Sequence, residues 1–501
     1  MKSLVIQLAR LGDIYQSWPA LRALKRRQPA GEIHLLTRPR FAGACEGLTA
    51  VDRVHLLPTQ QILQPLVSSS ISGIEESLEK LRELTSALRS ENFDQIVNLS
   101  FSPLSSYLVH QIETNGTKIK GYTRFSDGYL RIPDDMSAYF YAQVGPGRPN
   151  RFHLCEIFAT LLGVDLSPPD WQAPQLPAID HLGLPGEFVA VHVGASESHK
   201  RVTYSKWINI LSHLRKLRPV KIALIGGSDE VAIGEQMAAA VPAGELTNLV
   251  GRLDLLQTMA VLQRASLLVG PDSAPLHMAS LVGVPSLNLS VGELNFWETG
   301  PRSPGSVVLP AASEEDLPSD TVADMVARLL QHQRLPFATI QACPGTPSYT
   351  GLSRQVGALG TSATQVGAVT DEFAWQLLKA IYQGDPFPPP PDKWFLEGIC
   401  QLIDVNSFVI ETLQAVHEPK DLQTRAGLLD RGEEIIETVA KLVPSLIPAI
   451  RWYKTEKVRL GPLPFIELRD RNLAIQKMFQ DFLEVYVQPT DFQPSVTKEA
   501  P

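Results

Sequence analysis

The stretch "VGPDSAPLHMASLVGVP" (269–285) places two reactive side chains around the predicted start of a helix. An apolar run ends just before Asp272, and Ser273 and Pro275 are residue types that begin helices. The exposed N–H groups of a helix N-terminus bind phosphate. Asp272 could accept bonds from sugar hydroxyls, and His277 could donate to the phosphates. The alternative is that Asp272 only caps the helix and His277 is an ordinary helix residue.

A second strand end lies in "VHVGASESHKRVTYSKW" (191–207), where an apolar run stops at Gly194 and a polar loop follows. That loop contains Ser196 and Lys200. An ammonium group on a flexible stem is suited to neutralising a diphosphate leaving group. A solvated basic loop is the alternative interpretation.

A third strand end is "LIGGSDE" (224–230), in which Gly226 and Gly227 form a turn that a nucleotide could approach closely. The turn lacks the G-x-G-x-x-G pattern of dinucleotide-binding proteins. It therefore gives little support to binding of NAD.

The N-terminal segment "LARLGDIYQSWPALRALK" (8–25) has a carboxylate at a predicted strand–helix junction. Gly12 permits a tight turn after Arg10, and Asp13 follows directly. A carboxylate that faces a cleft could take the proton from an attacking hydroxyl. A lone Asp at this place could equally be a helix cap.

Short apolar runs alternate with helical patterns through the first two thirds of the chain. This alternation is typical of βαβ units on parallel sheets, and it restarts after a Pro-rich segment. The sequence predicts an α/β fold in which two Rossmann-like, doubly wound domains face a cleft, followed by a C-terminal all-helical extension. The predicted strands are 3–8, 32–37, 53–58, 94–100, 188–194, 221–227, 265–270 and 285–290.

The predicted domains follow from this pattern and from two Pro-rich breaks. They are an N-terminal domain (1–168), a linker (169–187), a second α/β domain (188–384) and a helical extension (393–488). The Gly-, Ser-, Thr- and Pro-rich region 334–370 lies within the second domain.

Composition narrows the class of protein. The 501 residues carry a formal net charge of -8, which argues against a general nucleic-acid binder. The four Cys stand far apart without a C-x-x-C motif, which indicates reduced thiols rather than zinc ligands. No apolar run reaches the roughly 18 residues of a membrane span. We therefore expect a cytoplasmic protein.

Together these segments resemble glycosyltransferase family 9, the bacterial heptosyltransferases of the GT-B fold. The opening R-x-G-D motif and its P-A-L-R-A-L helix appear as "RLGDIYQSWPALRALK", and the loop Lys with its downstream Trp as Lys200 and Trp207. The Gly-Gly turn appears as "LIGGSDE", and the D-[TS]-G-P-x-H-x-A signature as "DSAPLHMAS". A later G-x7-G-P element runs from Gly292 to Gly300 and the following Pro. The motifs occur in the family's order across about 1–310.

The resemblance implies an inverting, metal-independent transfer of a heptose from ADP-heptose, with no cofactor beyond this nucleotide sugar. Asp13 corresponds to the catalytic base and Lys200 to a phosphate-binding lysine. Arg10 and Gly12 fall on the acceptor side. The implied donor-binding residues are Gly194, Ser196, Gly226, Gly227, Asp272, Ser273, Ala274 and His277. No Asp-x-Asp triplet occurs, which fits the absence of a metal.

The acceptor is left open between a lipopolysaccharide core sugar, another glycan and a protein side chain. A basic cluster in the N-terminal domain could face an anionic acceptor or the cytoplasmic face of the inner membrane, although simple solvation is the commoner role of such residues. Its members are Arg22, Lys25, Arg26, Arg27, Arg38 and Arg40. The helical extension could form homo-oligomers or bind a protein acceptor.

Two alternatives from other classes compete with a transferase. One is a catalytically inactive GT-B protein that serves as a binding module or scaffold. It is favoured by Ala274, where the family has Gly, and by Glu293 and Leu294, where Pro and Thr are usual. The other is an epimerase of the same fold or an NAD enzyme, which the order of the motifs disfavours.

Overall fold

The computed structural model describes residues 1–68, 70–100, 102–195, 197, 200–292, 294–331, 340–341 and 362–487. The strands are β1 (Lys2–Ile6), β2 (Glu32–Thr37), β3 (Arg53–Leu56), β4 (Gln95–Asn98), β5 (Lys118–Lys120), β6 (Thr123–Arg124), β7 (Leu130–Arg131), β8 (Phe188–His192), β9 (Lys221–Ile225), β10 (Leu246–Asn248), β11 (Leu267–Pro271), β12 (Ser286–Val291), β13 (Val307–Ala311) and β14 (Ile340–Gln341).

The α-helices alternate with these strands up to residue 330 and then form the C-terminal part of the chain. They are α1 (Leu11–Arg27), α2 (Thr59–Leu63), α3 (Ile71–Ser90), α4 (Pro103–Ile112), α5 (Asp135–Gln143), α6 (Leu154–Leu162), α7 (Tyr204–Leu217), α8 (Val231–Ala240), α9 (Leu255–Arg264), α10 (Ala274–Val282), α11 (Phe296–Thr299), α12 (Ser319–Leu330), α13 (Ser362–Gln383), α14 (Lys393–Gln414), α15 (Pro419–Leu442), α16 (Ile447–Arg459) and α17 (Phe465–Glu484).

The first sheet has the order β3-β2-β1-β4-β5, with β1 to β4 parallel. In its centre Ile6 of β1 is paired with Leu36 of β2 on one side and Asn98 of β4 on the other. Residues 3–6 of β1 are buried, as expected for a parallel strand covered on both faces. The end of β1 is therefore a fixed platform for the loop that leads into α1.

The helix α1 forms because its apolar residues recur at helical spacing. Trp18, Leu21 and Leu24 are buried on one face, and three basic residues occupy the last turn, where they complement the helix dipole. The buried face packs on α6. This packing holds the N-terminal turn of α1 in place at the sheet edge where β1 ends.

The second sheet has the order β10-β9-β8-β11-β12-β13-β14. The first six strands are parallel, and β14 is antiparallel to β13. Apolar side chains from these strands pack against α7 and α12 in one core, which includes Trp207, Leu289 and Met325. The two doubly wound α/β sheets and the C-terminal helices confirm the predicted fold class.

Both sheets contain a point at which the strand order reverses. In the first sheet β1 lies between β2 and β4, and in the second β8 lies between β9 and β11. Loops leave adjacent strands toward opposite faces at such a point, which opens a crevice beyond the carboxyl ends where ligands bind. Lys200 and Asp272 lie in the loops after β8 and β11, and Asp13 lies in the first turn of α1, directly after the loop from β1.

The described chain divides into two compact units. The first contains residues 1–101, 111–118 and 151–361, and the second contains 102–110, 119–150 and 362–501. The helices from α13 to α17 share one hydrophobic core in the second unit, which includes Phe395, Tyr453 and Phe479. The predicted domain boundaries stay predictions. No helix among the described residues is long and apolar enough to cross a membrane.

Candidate active site

The first turn of α1 holds the carboxylate of Asp13. Its Oδ2 accepts a hydrogen bond from the backbone N–H of Arg10 at 2.9 Å. Burial raises the pKa of Asp13 to about 6, although this bond, the Arg10 guanidinium and Lys200 act in the opposite direction. The Asp272 carboxylate raises it further. Asp13 is thus both a helix-terminal hydrogen-bond acceptor and a group whose pKa is suited to proton transfer near neutral pH.

The loop after β8 places one carboxylate between two cations. Glu197 accepts from Arg10 Nη2 through Oε1 at 2.7 Å and from Lys200 Nζ through Oε2 at 2.7 Å. The Lys200 side chain is only 7% exposed, whereas that of Arg10 is 59% exposed. Two cations that already share one anion form a site that can hold the charge of a diphosphate.

The carboxylate of Asp272 follows β11 and faces the same cations. Burial raises its pKa, while Lys200, a hydrogen bond from Thr299 and Arg10 lower it. The Thr299 hydroxyl donates to Asp272 Oδ2 at 3.0 Å. The electrostatic coupling of Asp272 with Asp13 and Lys200 shows that the ends of β1, β8 and β11 bring these groups together.

The N-terminal end of α10 is not capped by Ser273, because the hydroxyl of this residue binds other groups. Ser273 occupies the N-cap position as predicted, but it makes no capping bond. Its Oγ lies 2.9 Å from Nδ1 of His192 and 3.1 Å from the Pro271 carbonyl oxygen. Burial lowers the pKa of His192 to about 4, so this imidazole is neutral at pH 7. The N-terminal end of α10 is left for a ligand.

The helices α1 and α10 approach each other at Gly12. A Cβ at this position would lie 2.9 Å from Cδ2 of His277 and 3.8 Å from Cα of Ala274. Burial lowers the pKa of His277 to about 4. His277 is therefore a neutral side chain against the turn of Gly12, and it could bind phosphate only through a neutral N–H.

Comparison with known proteins identifies the family. Residues 81–314 match the model of "Glycosyltransferase family 9 (heptosyltransferase)". This segment, somewhat less than half of the chain, is similar to that family, and the chain is a glycosyltransferase. It is similar to lipopolysaccharide heptosyltransferase 3 of Escherichia coli, with 22% identity over 291 residues that make up 56% of this chain and 80% of the relative.

Solved structures of similar proteins show that the transferase has the GT-B fold. E. coli ADP-heptose lps heptosyltransferase II aligns with a TM-score of 0.50 and 18% identity, covering 66% of this chain and 99% of that one. E. coli heptosyltransferase WaaC with ADP aligns with a TM-score of 0.50 and 17% identity, covering 66% and 100%. Each alignment leaves about a third of the transferase uncovered.

The close contact between Gly12 and His277 leads to a prediction about the stability of the transferase. Gly12→Ala places a methyl group against the ring of His277, so we expect a loss of about 1–3 kcal/mol in the free energy of unfolding. Gly427→Ala is the matched control, because a Cβ there meets no atom within 4 Å. It should be neutral or slightly stabilising. Urea unfolding followed by fluorescence measures both, and equal stability of the two variants would contradict the expectation.

The predicted donor glycines surround a carboxylate of Glu230 that the sequence analysis did not single out. The N–H of Gly227 donates to its Oε2 at 2.7 Å, and a Cβ on Gly194 would lie 2.5 Å from its Cδ. A Cβ on Gly226 would contact Val250 at 3.1 Å. The turn after β9 thus presents a carboxylate that can accept bonds from ligand hydroxyls.

The structure assembles most of the predicted site residues and adds others. It brings together Arg10, Gly12, Asp13, Lys200, Asp272, Ala274 and His277, and it places Gly194, Gly226 and Gly227 around Glu230. Ser196 lies outside the described residues. The side chains that sequence reasoning missed are His192, Glu197, Glu230 and Thr299. Each stands within or beside a quoted motif, but no local pattern distinguishes it. The catalytic and binding roles themselves stay predictions.

Much of the basic cluster pairs with the chain's own polar groups. Arg26 binds the Asp170 carboxylate, Arg22 donates to the Asp170 carbonyl at 3.2 Å, and Lys25 binds Asp52 at 2.8 Å. These contacts join α1 to the predicted linker and the first sheet. Arg40, which follows β2, lies over the ring of Phe41 at 4.4 Å, and contact of the cluster with an acceptor or a membrane stays a prediction.

The arrangement offers acid–base and electrostatic chemistry. Within the described ranges, no group of three or more His, Cys, Asp or Glu side chains could hold a metal ion. What the strand ends provide is a carboxylate of raised pKa, two cations and a second carboxylate. Such a set can accept a proton from a nucleophile and stabilise a departing anion.

Proposed function

We propose that this glycosyltransferase moves a heptose from a nucleotide diphosphate donor to a hydroxyl group with inversion and without a metal ion. The observation that supports this most directly is the meeting of Asp13, Lys200, Arg10 and Asp272 at the ends of three strands. ADP-heptose is the proposed donor, because the similar structures include an ADP-heptose heptosyltransferase and a heptosyltransferase with ADP.

In the proposed reaction the acceptor hydroxyl attacks the anomeric carbon of the donor sugar. Asp13 takes the hydroxyl proton as the new C–O bond forms, and the bond from the anomeric carbon to the diphosphate breaks on the opposite face. Lys200 and Arg10 stabilise the negative charge of the departing nucleoside diphosphate. Asp272 binds the sugar hydroxyls. With a pKa of about 6, Asp13 is mostly ionised at pH 7 and ready to act as a base.

The acceptor we propose is a glycan of the lipopolysaccharide core type, in line with the named relative, with a protein side chain as the second choice. A cytoplasmic location, where activated sugars are available, is part of the proposal. Contact with the inner membrane and oligomerisation through the helical extension stay predictions.

The test is calorimetric binding of ADP-heptose, ADP, UDP and GDP to the wild type and to Asp272→Ala. We expect the wild type to prefer the ADP ligands, and Asp272→Ala to weaken binding of ADP-heptose about tenfold or more, since a bond to a charged group contributes about 1.5–3 kcal/mol. Asp324→Ala is the matched control, because it removes a carboxylate that pairs with Arg328 on α12. It should bind like the wild type.

Two results would favour the inactive scaffold instead. One is that none of the four nucleotides binds. The other is that Asp272→Ala binds ADP-heptose as well as the wild type does. Selective ADP binding that depends on Asp272 would justify a screen of acceptors.

A further inference from the structure

The Asp272 carboxylate is held by a single hydroxyl group from α11. Thr299 Oγ1 lies 3.0 Å from Asp272 Oδ2 and 3.4 Å from the Asn295 carbonyl oxygen. A hydroxyl has one proton to donate, and the nearer, charged oxygen is the stronger acceptor. The proton therefore goes to Oδ2 of Asp272, which leaves Oδ1 for a ligand hydroxyl.

The position of Thr299 is fixed by the two backbone carbonyls beside it. The carbonyl oxygen of Glu298 accepts from Gln16 Nε2 at 3.1 Å, and that of Gly300 lies 2.9 Å from Nε2 of His153. Both bonds are buried. The short helix α11 is thus anchored on each side of Thr299 by residues from outside the second sheet.

One of these anchors comes from the helix that carries the proposed base. Gln16 lies three residues after Asp13 on α1, so the two side chains share a helix face. A continuous path of covalent and hydrogen bonds runs from Asp13 along α1 to Gln16, across to α11 and through Thr299 to Asp272. The path joins the group that would take the acceptor's proton to the group that would bind the donor sugar.

We infer that Thr299 is a positioning residue of the transferase. It orients the Asp272 carboxylate toward the donor sugar, and the bond from Gln16 to α11 sets the position of Asp272 relative to Asp13. This inference rests on the proposed function, because it assigns a donor sugar to Asp272.

The test compares Thr299→Val, which removes the hydroxyl but keeps the shape, with Thr299→Ser, which restores it. Thr299→Val should weaken the binding of ADP-heptose about tenfold while the affinity for ADP stays within twofold of wild type. Loss of the bond raises the pKa of Asp272. The pH below which the binding of ADP-heptose weakens should therefore be higher in Thr299→Val than in the wild type. Thr299→Ser should return both properties to wild type.

Thr258→Val is the matched control, since its hydroxyl donates to the carbonyl of Asp254 at 2.8 Å, at the N-terminal end of α9. Thermal melting checks that every variant folds. If Thr299→Val does not fold, Gln16→Met is measured in its place and should weaken ADP-heptose binding several-fold, again without loss of ADP binding.

The outcomes separate this inference from the function on which it rests. If the wild type binds ADP and ADP-heptose but Thr299→Val matches it in affinity and pH profile, the inference is wrong and the function stands. A Thr299→Ser variant no better than Thr299→Val would also overturn it, because the hydroxyl would then not be what matters. If the wild type binds neither ligand, both the inference about Thr299 and the proposed function are wrong.

Discussion

Replacing Asp13 with Asn is expected to lower kcat about a thousandfold and to leave the affinity for ADP unchanged. The amide oxygen of Asn can still accept the N–H of Arg10, so the first turn of α1 keeps its hydrogen bond. What is lost is the ability to take a proton, and general-base catalysis contributes about 10²–10⁴ to enzyme rates. Steady-state kinetics and calorimetry on the same variant separate the two effects.

The pH dependence of the wild type follows from the same group. Burial raises the pKa of Asp13 to about 6, and only the ionised form can accept a proton. We therefore expect kcat/KM to be constant above this pH and to fall as the pH drops through about 6, approaching tenfold per unit below it. The acid limb should disappear from the residual activity of Asp13→Asn.

Asp392→Asn is the matched control for this substitution. Asp392 also accepts a backbone N–H at a helix N-terminus, from Phe395 at 2.8 Å, but it caps α14 in the second compact unit. It should retain full activity. A wild-type rate in Asp13→Asn, or equal losses in the two variants, would contradict a role for Asp13 as the base.

Replacing Lys200 with Met is expected to weaken the binding of ADP about a hundredfold. The Met side chain fills similar space but has no charge, and charge-assisted bonds are about twice as strong as neutral ones. Lys200 is nearly buried and bound to Glu197, so a diphosphate would exchange one anionic partner for another. The substitution also removes one of the cations that bind Glu197, which leaves less compensated negative charge where the diphosphate would bind.

The measurement is calorimetry with ADP at two salt concentrations. In the wild type the affinity should fall with added salt, and this dependence should be smaller in Lys200→Met. Lys206→Met is the matched control, because Lys206 comes from the same stretch but donates to the Leu317 carbonyl at 2.9 Å. If Lys200→Met binds ADP as tightly as the wild type does, Lys200 is not part of the donor site.

The elements that carry the site could be predicted from local sequence alone. Buried parallel strands appear as short apolar runs, and the residue types at their ends mark the turns that precede α1 and α10. The prediction missed β5, β6, β7, β10, β13 and β14. β10 has only three residues. β13 contains Pro310, which lies beyond Val307 and Val308, the residues that pair with the described part of β14.

The sequence by itself determined the α/β alternation, the strand ends and the residue types that stand there, because these depend on neighbours within about one turn or strand. It did not determine the partners of those residues. Arg10 and Glu197 are 187 residues apart, and Ser273 and His192 are 81 apart. Such pairs form only when the strand order places β8 beside β11 and when α1 packs against α10. Tertiary structure alone therefore decided that Glu197 joins the two cations, that Ser273 leaves α10 uncapped and that Thr299 orients Asp272.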